Sequence, residues 1–295
     1  MNQRKLISAL AALLASAPLA SLGAKGPEKP ERAIERLVPR EASAARLSVD
    51  LVAAVHIAQK SYYQQLNHEF KAYDAVLYEL VAPPGTRIPK GGKSSDNPIS
   101  LLQNGMKSLL ELQFQLDEVD YTLPNMVHAD MSPEQVARSM QQRGETVLGM
   151  FGRLMGYAMT QSGQGSDVAT ASEVLSALLD GDRALALKRV MAEQFQEMDG
   201  MLTAISGPDG STIITERNKA ALDVLRKQIA SGKHKIAIFY GAGHMPDLEK
   251  RLLRDFALVP LGTRWLVAWD LKGPAQPPRK TLAKPGTLLQ PPHGT

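Results

Sequence analysis

The sequence predicts an α/β (α+β) fold in which two strand–His–helix–strand halves form one central sheet, with a large helical insertion between them. Three observations predict it. Residues 47–56 (LSVDLVAAVH) begin as an alternating strand, become wholly apolar and end in a small-x-x-His turn. The same grammar returns about 190 residues later, where 235–240 form an apolar strand that closes in Gly241-Ala242-Gly243-His244. Between the two lies a stretch with helical apolar spacing, opened by Ser132-Pro133-Glu134-Gln135, which supplies an N-cap, a proline in the first turn and a glutamine three residues after the cap.

Taken in chain order, Arg4 and Lys5 precede an Ala- and Leu-rich run over 6–20, followed by small residues to Ala24. A positive start, a short apolar run and small residues are the form of a secretory signal peptide over 1–24, too short to span a bilayer of roughly 30 Å. This implies a soluble mature protein that is periplasmic or secreted, with no transmembrane segment in the mature chain. After the first strand, helical spacing runs through 61–73 and a second strand through 75–81. Segments 101–119, 133–159, 167–179 and 182–198 read as helices, which makes 98–205 a helical insertion, broken by Gly/Ser loops at 162–166 and 206–211. A β-like run over 212–215 leads into a helix at 217–230. The second half follows with its strand, a helix at 247–256 and a strand resuming at Leu258. The main domain is therefore expected over 25–271. Residues 272–295, with prolines at 274, 277, 278, 285, 291 and 292, read as a disordered tail.

Composition narrows the chemistry. The 295 residues contain 44% hydrophobic and 22% charged residues, which excludes disordered and collagen-like classes, and no cysteine, which excludes disulfides, thiolate metal sites and cysteine nucleophiles. The net charge of +4 belongs to the ends: 1–24 and 271–295 carry six basic residues and no acid, leaving 28 basic against 30 acidic residues over 25–270. The body gives no compositional argument for binding nucleic acid. Of the six histidines, His68, His234 and His293 lie in polar company, whereas His56 and His244 each follow an apolar strand directly and sit among small residues that let a ligand approach.

Parallel pairing of the two halves would bring both histidines to the carboxyl edge of one sheet. Glu79 stands in an otherwise apolar strand, either pairing with a metal or a cation or facing water at an edge. Glu216 and Arg217 open a helix, either as site residues or as an N-terminal carboxylate with a solvated arginine. Two histidines with one or two carboxylates compose a hard-metal donor set. The Met residues at 126, 131, 140, 150, 155 and 159 follow helix faces and read as core filling.

Residues 52–81 (VAAVHIAQKSYYQQLNHEFKAYDAVLYELV), the Thr215-Glu216-Arg217-Asn218 segment and 239–248 (FYGAGHMPDL) together resemble the TraB/PrgY/GumN family, related to the Tiki metalloproteases and, in the wider superfamily, to erythromycin esterases. Residues 112–130 (LQFQLDEVDYTLPNMVHAD) resemble a helix-plus-loop segment of one bacterial branch. The family's two Gly-x-x-His motifs and glutamate fall on His56, His244 and Glu79, except that Ala53 stands where the first motif has glycine. Its turn must therefore avoid a positive φ there.

The resemblance implies a metal-dependent hydrolase, most simply a metallopeptidase acting on a peptide or protein substrate. His56, His244 and Glu79 would hold a divalent Mn²⁺ or Co²⁺, with Zn²⁺ also compatible. Either Glu79 or Glu216 would be a ligand and the other the base for the metal-bound water, Arg217 would stabilise the tetrahedral oxyanion, and His128 and Asp130 would stand behind the site or in an exposed loop. Two other readings stay open: a metal-free esterase-like hydrolase with His56 as general base, and a non-catalytic peptide- or ligand-binding or inhibitory protein.

Overall fold

The computed structural model describes residues 31–40, 46–89, 110–146, 148–153, 179–194 and 210–272, with single positions at 156, 173, 176, 177 and 206. The expected signal segment over 1–24 and residues 273–295 of the expected tail lie outside these residues, and the insertion over 98–205 is described in part. In chain order the elements are β1 (Glu31–Pro39), β2 (Ser48–Ala54), β3 (Ile57–Ala58), α1 (Lys60–Phe70), β4 (Ala75–Tyr78), β5 (Gln113–Phe114), α2 (Gln115–Glu118), β6 (Met126–His128), α3 (Pro133–Gln142), α4 (Arg183–Gln194), α5 (Arg217–Ala230), β7 (Lys235–Gly241), α6 (Met245–Asp255) and β8 (Leu258–Val267). The fold is mixed α/β.

A six-stranded sheet in the order β6-β4-β7-β2-β1-β8 forms the centre. The strands β2, β7, β4 and β6 are mutually parallel; β1 lies antiparallel beside β2, and β8, antiparallel to β1, forms the edge. The two apolar strands that the sequence singled out, β2 and β7, are hydrogen-bonded neighbours in register, Ala54 opposite Gly241. Their runs are continuous because both faces are covered. On one face Val52, Val76, Ala237 and Phe239 pack with Tyr62, Tyr63, Leu66 and Phe70 of α1. On the other, Leu51, Leu77, Ile236 and Ile238 pack with Ala221, Leu222 and Leu225 of α5 and with Leu248 and Leu252 of α6. Each fully buried Leu, Ile or Phe contributes roughly 1.5–3 kcal/mol relative to exposure, so these two layers fix the sheet and hence its carboxyl edge.

Several local expectations are corrected. The helix expected over 101–119 is interrupted in its described part. Leu110 is helical, but Glu111 has φ 53, β5 pairs with β3, and helix returns only in the four residues of α2. The helix expected over 133–159 is broken after Gln142, where Gly144 takes φ 64, and 148–153 are again helical. Residues 212–216 form a π-helical turn rather than a β-like run, capped by Ser211 Oγ accepting from the Ile214 N–H. Gly210 precedes it at φ 73, where a Cβ would lie 2.2 Å from Thr215 Oγ1, so glycine is required there. The strand β1 has no counterpart in the sequence reading, because its apolar residues are interrupted by Arg32, Glu35 and Arg36.

Asp50 shows how a charge is carried inside β2. Its fully buried carboxylate accepts from Arg36 Nε (2.9 Å) and Nη2 (2.8 Å) on the adjacent β1 and from the Tyr73 hydroxyl (2.6 Å). Burial, reinforced by Asp50, pushes the Tyr73 phenol well above its ordinary range, so it is a permanent donor. A hydrogen bond to a charged group contributes about 1.5–3 kcal/mol. Tyr73→Phe should lower the stability by that amount in urea unfolding, with an unchanged dependence on denaturant. A loss under about 0.5 kcal/mol, the scatter of a surface change, would show that Arg36 alone satisfies Asp50.

Candidate active site

Four parallel strands end side by side, and each delivers a polar residue just past its last paired position. His56 follows β2, His244 ends the 3₁₀ turn Ala242–His244 after β7, Glu79 follows β4 and Asp130 follows β6. Arg217, the first residue of α5, enters from the π-helical turn. The carboxyl edge of a parallel sheet is where open α/β folds gather their ligands.

The His56 turn is pinned by its carbonyls. The Tyr62 hydroxyl donates to Ala53 O (3.1 Å), the Tyr63 hydroxyl to Val55 O (2.8 Å), the Gln115 N–H to His56 O (2.8 Å) and the Trp269 indole to Ile57 O (2.8 Å). Ala53 lies within β2 with no positive φ, so the absent glycine costs the backbone nothing. The His56 residue itself is half-buried. Burial first, with the Arg217 charge, pushes its imidazole below the ordinary histidine value, against an opposing pull from Glu79, so the ring is neutral at pH 7. The Gln115 side chain stands beside it, donating through Nε2 to the Tyr121 hydroxyl (2.8 Å), while its buried Oε1 has no hydrogen-bond partner.

Glu79 is held on both oxygens. Oε1 accepts from Arg217 Nη2 (2.6 Å) and lies 3.5 Å from His244 Nε2, and Oε2 accepts from the Gly241 N–H (2.7 Å). Burial alone would push this carboxyl up. The charge of Arg217, joined by the two histidines, outweighs it and holds the group well below the usual carboxylate range. Arg217 also grips Asp130 bidentately, Nε to Oδ1 (2.9 Å) and Nη2 to Oδ2 (2.6 Å). Its side chain is 10% exposed and that of Asp130 fully buried. Arg217 Nη1 makes only a long contact to Ile213 O (3.5 Å), which leaves one N–H directed elsewhere. The Tyr240 hydroxyl donates to Ala129 O, and its ring packs edge-on against His244 with centroids 5.1 Å apart.

His56, His244, Glu79 and Arg217 thus come together, and Asp130 joins them. Glu216 turns away: it pairs with Lys219 (2.8 Å) and Arg143 (3.4 Å) on the surface. His128 Nε2 bonds Leu80 O (2.6 Å) and ties β6 to the end of β4. Gln115, Tyr121, Tyr240 and Asn218 were not singled out by the sequence reading. Asn218 was within reach of it, since it completes the Thr-Glu-Arg-Asn segment and is buried like Arg217, whereas nothing local marks Gln115.

The donor set does not fit the three-ligand metal that the resemblance implies. One imidazole nitrogen and one carboxylate oxygen converge, but Arg217 Nη2 sits on that same oxygen and the Gly241 N–H occupies the other. No group of three His, Asp or Glu side chains suited to an ion occurs among the described residues. None of the described helices is long and apolar enough to cross a membrane. Compared with protein-family models, curated proteins and solved structures, the chain matches none.

Proposed function

We propose that the chain is an exported hydrolase that attacks peptide or ester carbonyls with water, using His56 as general base. The observation that carries this reading is the neutral imidazole of the half-buried residue His56, on a rigid turn at the carboxyl edge of the sheet, with an arginine N–H nearby. A base needs an unprotonated ring at working pH, a fixed backbone and access to water, and His56 combines all three. Glu79 and Asp130 hold Arg217 in place, and its remaining N–H is available to the oxygen on which charge develops in the tetrahedral intermediate. Gln115 stands beside the base and interacts with its ring, which helps to fix the imidazole.

The test uses the chain purified without its first 24 residues, assayed on an activated ester and on a peptide amide. Turnover that persists after chelation is the expected result. Turnover lost on chelation and regained with Mn²⁺ or Co²⁺ would replace this reading by the metallopeptidase one. Tight binding of peptides with no turnover of either substrate would favour a binding protein.

A further inference from the structure

We propose that Asn218 is a positioning residue that fixes the tautomer of His244 and so makes His244 Nε2 a second hydrogen-bond acceptor of the site. Asn218 Nδ2 donates to two groups that can only accept, the His244 backbone carbonyl (3.2 Å) and the Asp247 carboxylate (2.8 Å). The amide orientation is therefore set, and Asn218 Oδ1 is the atom 2.7 Å from His244 Nδ1. An amide oxygen cannot donate, so Nδ1 carries the hydrogen; of the two tautomers of the uncharged ring, Asn218 selects the one whose lone pair is on Nε2.

The chain of constraints continues outward. Arg251 Nε donates to the same Asp247 oxygen (2.7 Å), one turn along α6, and holds it in place beside Asn218. Asn218 is fully buried and His244 is 2% exposed, so water does not compete for these bonds. At the other end, Nε2 faces Glu79 Oε1 at 3.5 Å. Two acceptors face each other there, and what satisfies both is a donor: the attacking water or a substrate N–H or O–H. Base action at this notch rests on the hydrolase reading, but the tautomer does not.

The two are therefore separable by experiment. In chain labelled with ¹⁵N-histidine, with the His244 signals assigned by their loss in His244→Gln, two-bond proton–nitrogen spectra at alkaline pH read each ring nitrogen directly. The expected result is Nδ1 at the shift of a protonated nitrogen and Nε2 at that of an unprotonated one. Asn218→Ala should lose this pattern, the two nitrogens moving toward a tautomer mixture, with a loss of turnover. An Nε2-protonated ring in the unmodified chain would overturn the proposal without any variant, as would an unchanged pattern in folded Asn218→Ala. The expected pattern in a chain without hydrolytic turnover would leave the tautomer assignment standing while the hydrolase reading failed.

Discussion

Replacing Arg217 by methionine is expected to cost about 3–5 kcal/mol of folding stability at neutral pH, because it strands two carboxylates that the sheet has already removed from water. Asp130 is fully buried and Glu79 nearly so, and the guanidinium is the partner they share. The side chain is buried too, and methionine keeps much of its apolar stem, so the loss is chiefly one of charge.

The pH dependence distinguishes this from lost packing. In the native chain the Glu79 carboxyl is depressed, so its contribution is present above the unfolded value of about 4.3 and is lost as pH falls through the folded one. In the variant Glu79 loses the charge that depressed it, burial pushes it up, and protonation relieves the penalty. The difference in stability between the two chains should therefore shrink as pH falls from 7 toward about 4.5, close to the unfolded carboxyl value. Urea unfolding at both pH values checks this. A cost equal at both would identify packing as the cause, and no cost at pH 7 would show that Glu79 and Asp130 do not depend on Arg217.

How much of this was legible in the sequence depends on how local each signal is. The pairing of β2 with β7 could be read because strands buried on both faces are largely apolar, and residues 51–55 and 236–240 carry that pattern within a few positions. The prominence of His56, His244, Glu79 and Arg217 could be read for a related reason, a polar residue at the end of an apolar strand or the start of a helix.

What could not be read is which partners they take. Glu79 and Arg217 are separated by 138 residues, Arg217 and Asp130 by 87, and nothing near any of them announces the others. Glu216 and Arg217 are adjacent, yet the helical turn sends the arginine inward and the glutamate to Lys219 and Arg143, a choice made by the π-helical turn. That turn was misread because Thr212, Ile213, Ile214 and Thr215 are β-branched, and their strand preference was overridden by the Ser211 cap and by Glu145 accepting from the Thr212 N–H (3.0 Å). The metal expectation rested on residue types alone, which give a donor set but do not announce the arginine that bonds the carboxylate.

His56→Gln is expected to lower kcat/KM by about 10²–10⁴-fold while leaving the fold intact, the loss associated with removing a general base. The turn does not rest on the imidazole: Tyr62, Tyr63, Gln115 and Trp269 hold it through backbone carbonyls, which glutamine at 56 presents equally well. Glutamine also keeps a polar group beside Gln115 Oε1 but has no atom that takes up a proton near neutrality. Because burial lowers the imidazole pKa, the native chain should hold its full kcat/KM through neutral pH and lose it only as pH falls below about 6.5, the ordinary histidine value. The residual rate of the variant should lack that acid limb, since the group that produces it is gone. Matching circular dichroism and unfolding midpoints establish that the variant is folded, so the comparison of the two pH profiles isolates the base. A folded His56→Gln chain that keeps both its rate and its acid limb would remove His56 from the reaction and move the proton transfer to His244, whose Nε2 is the other lone pair at this edge.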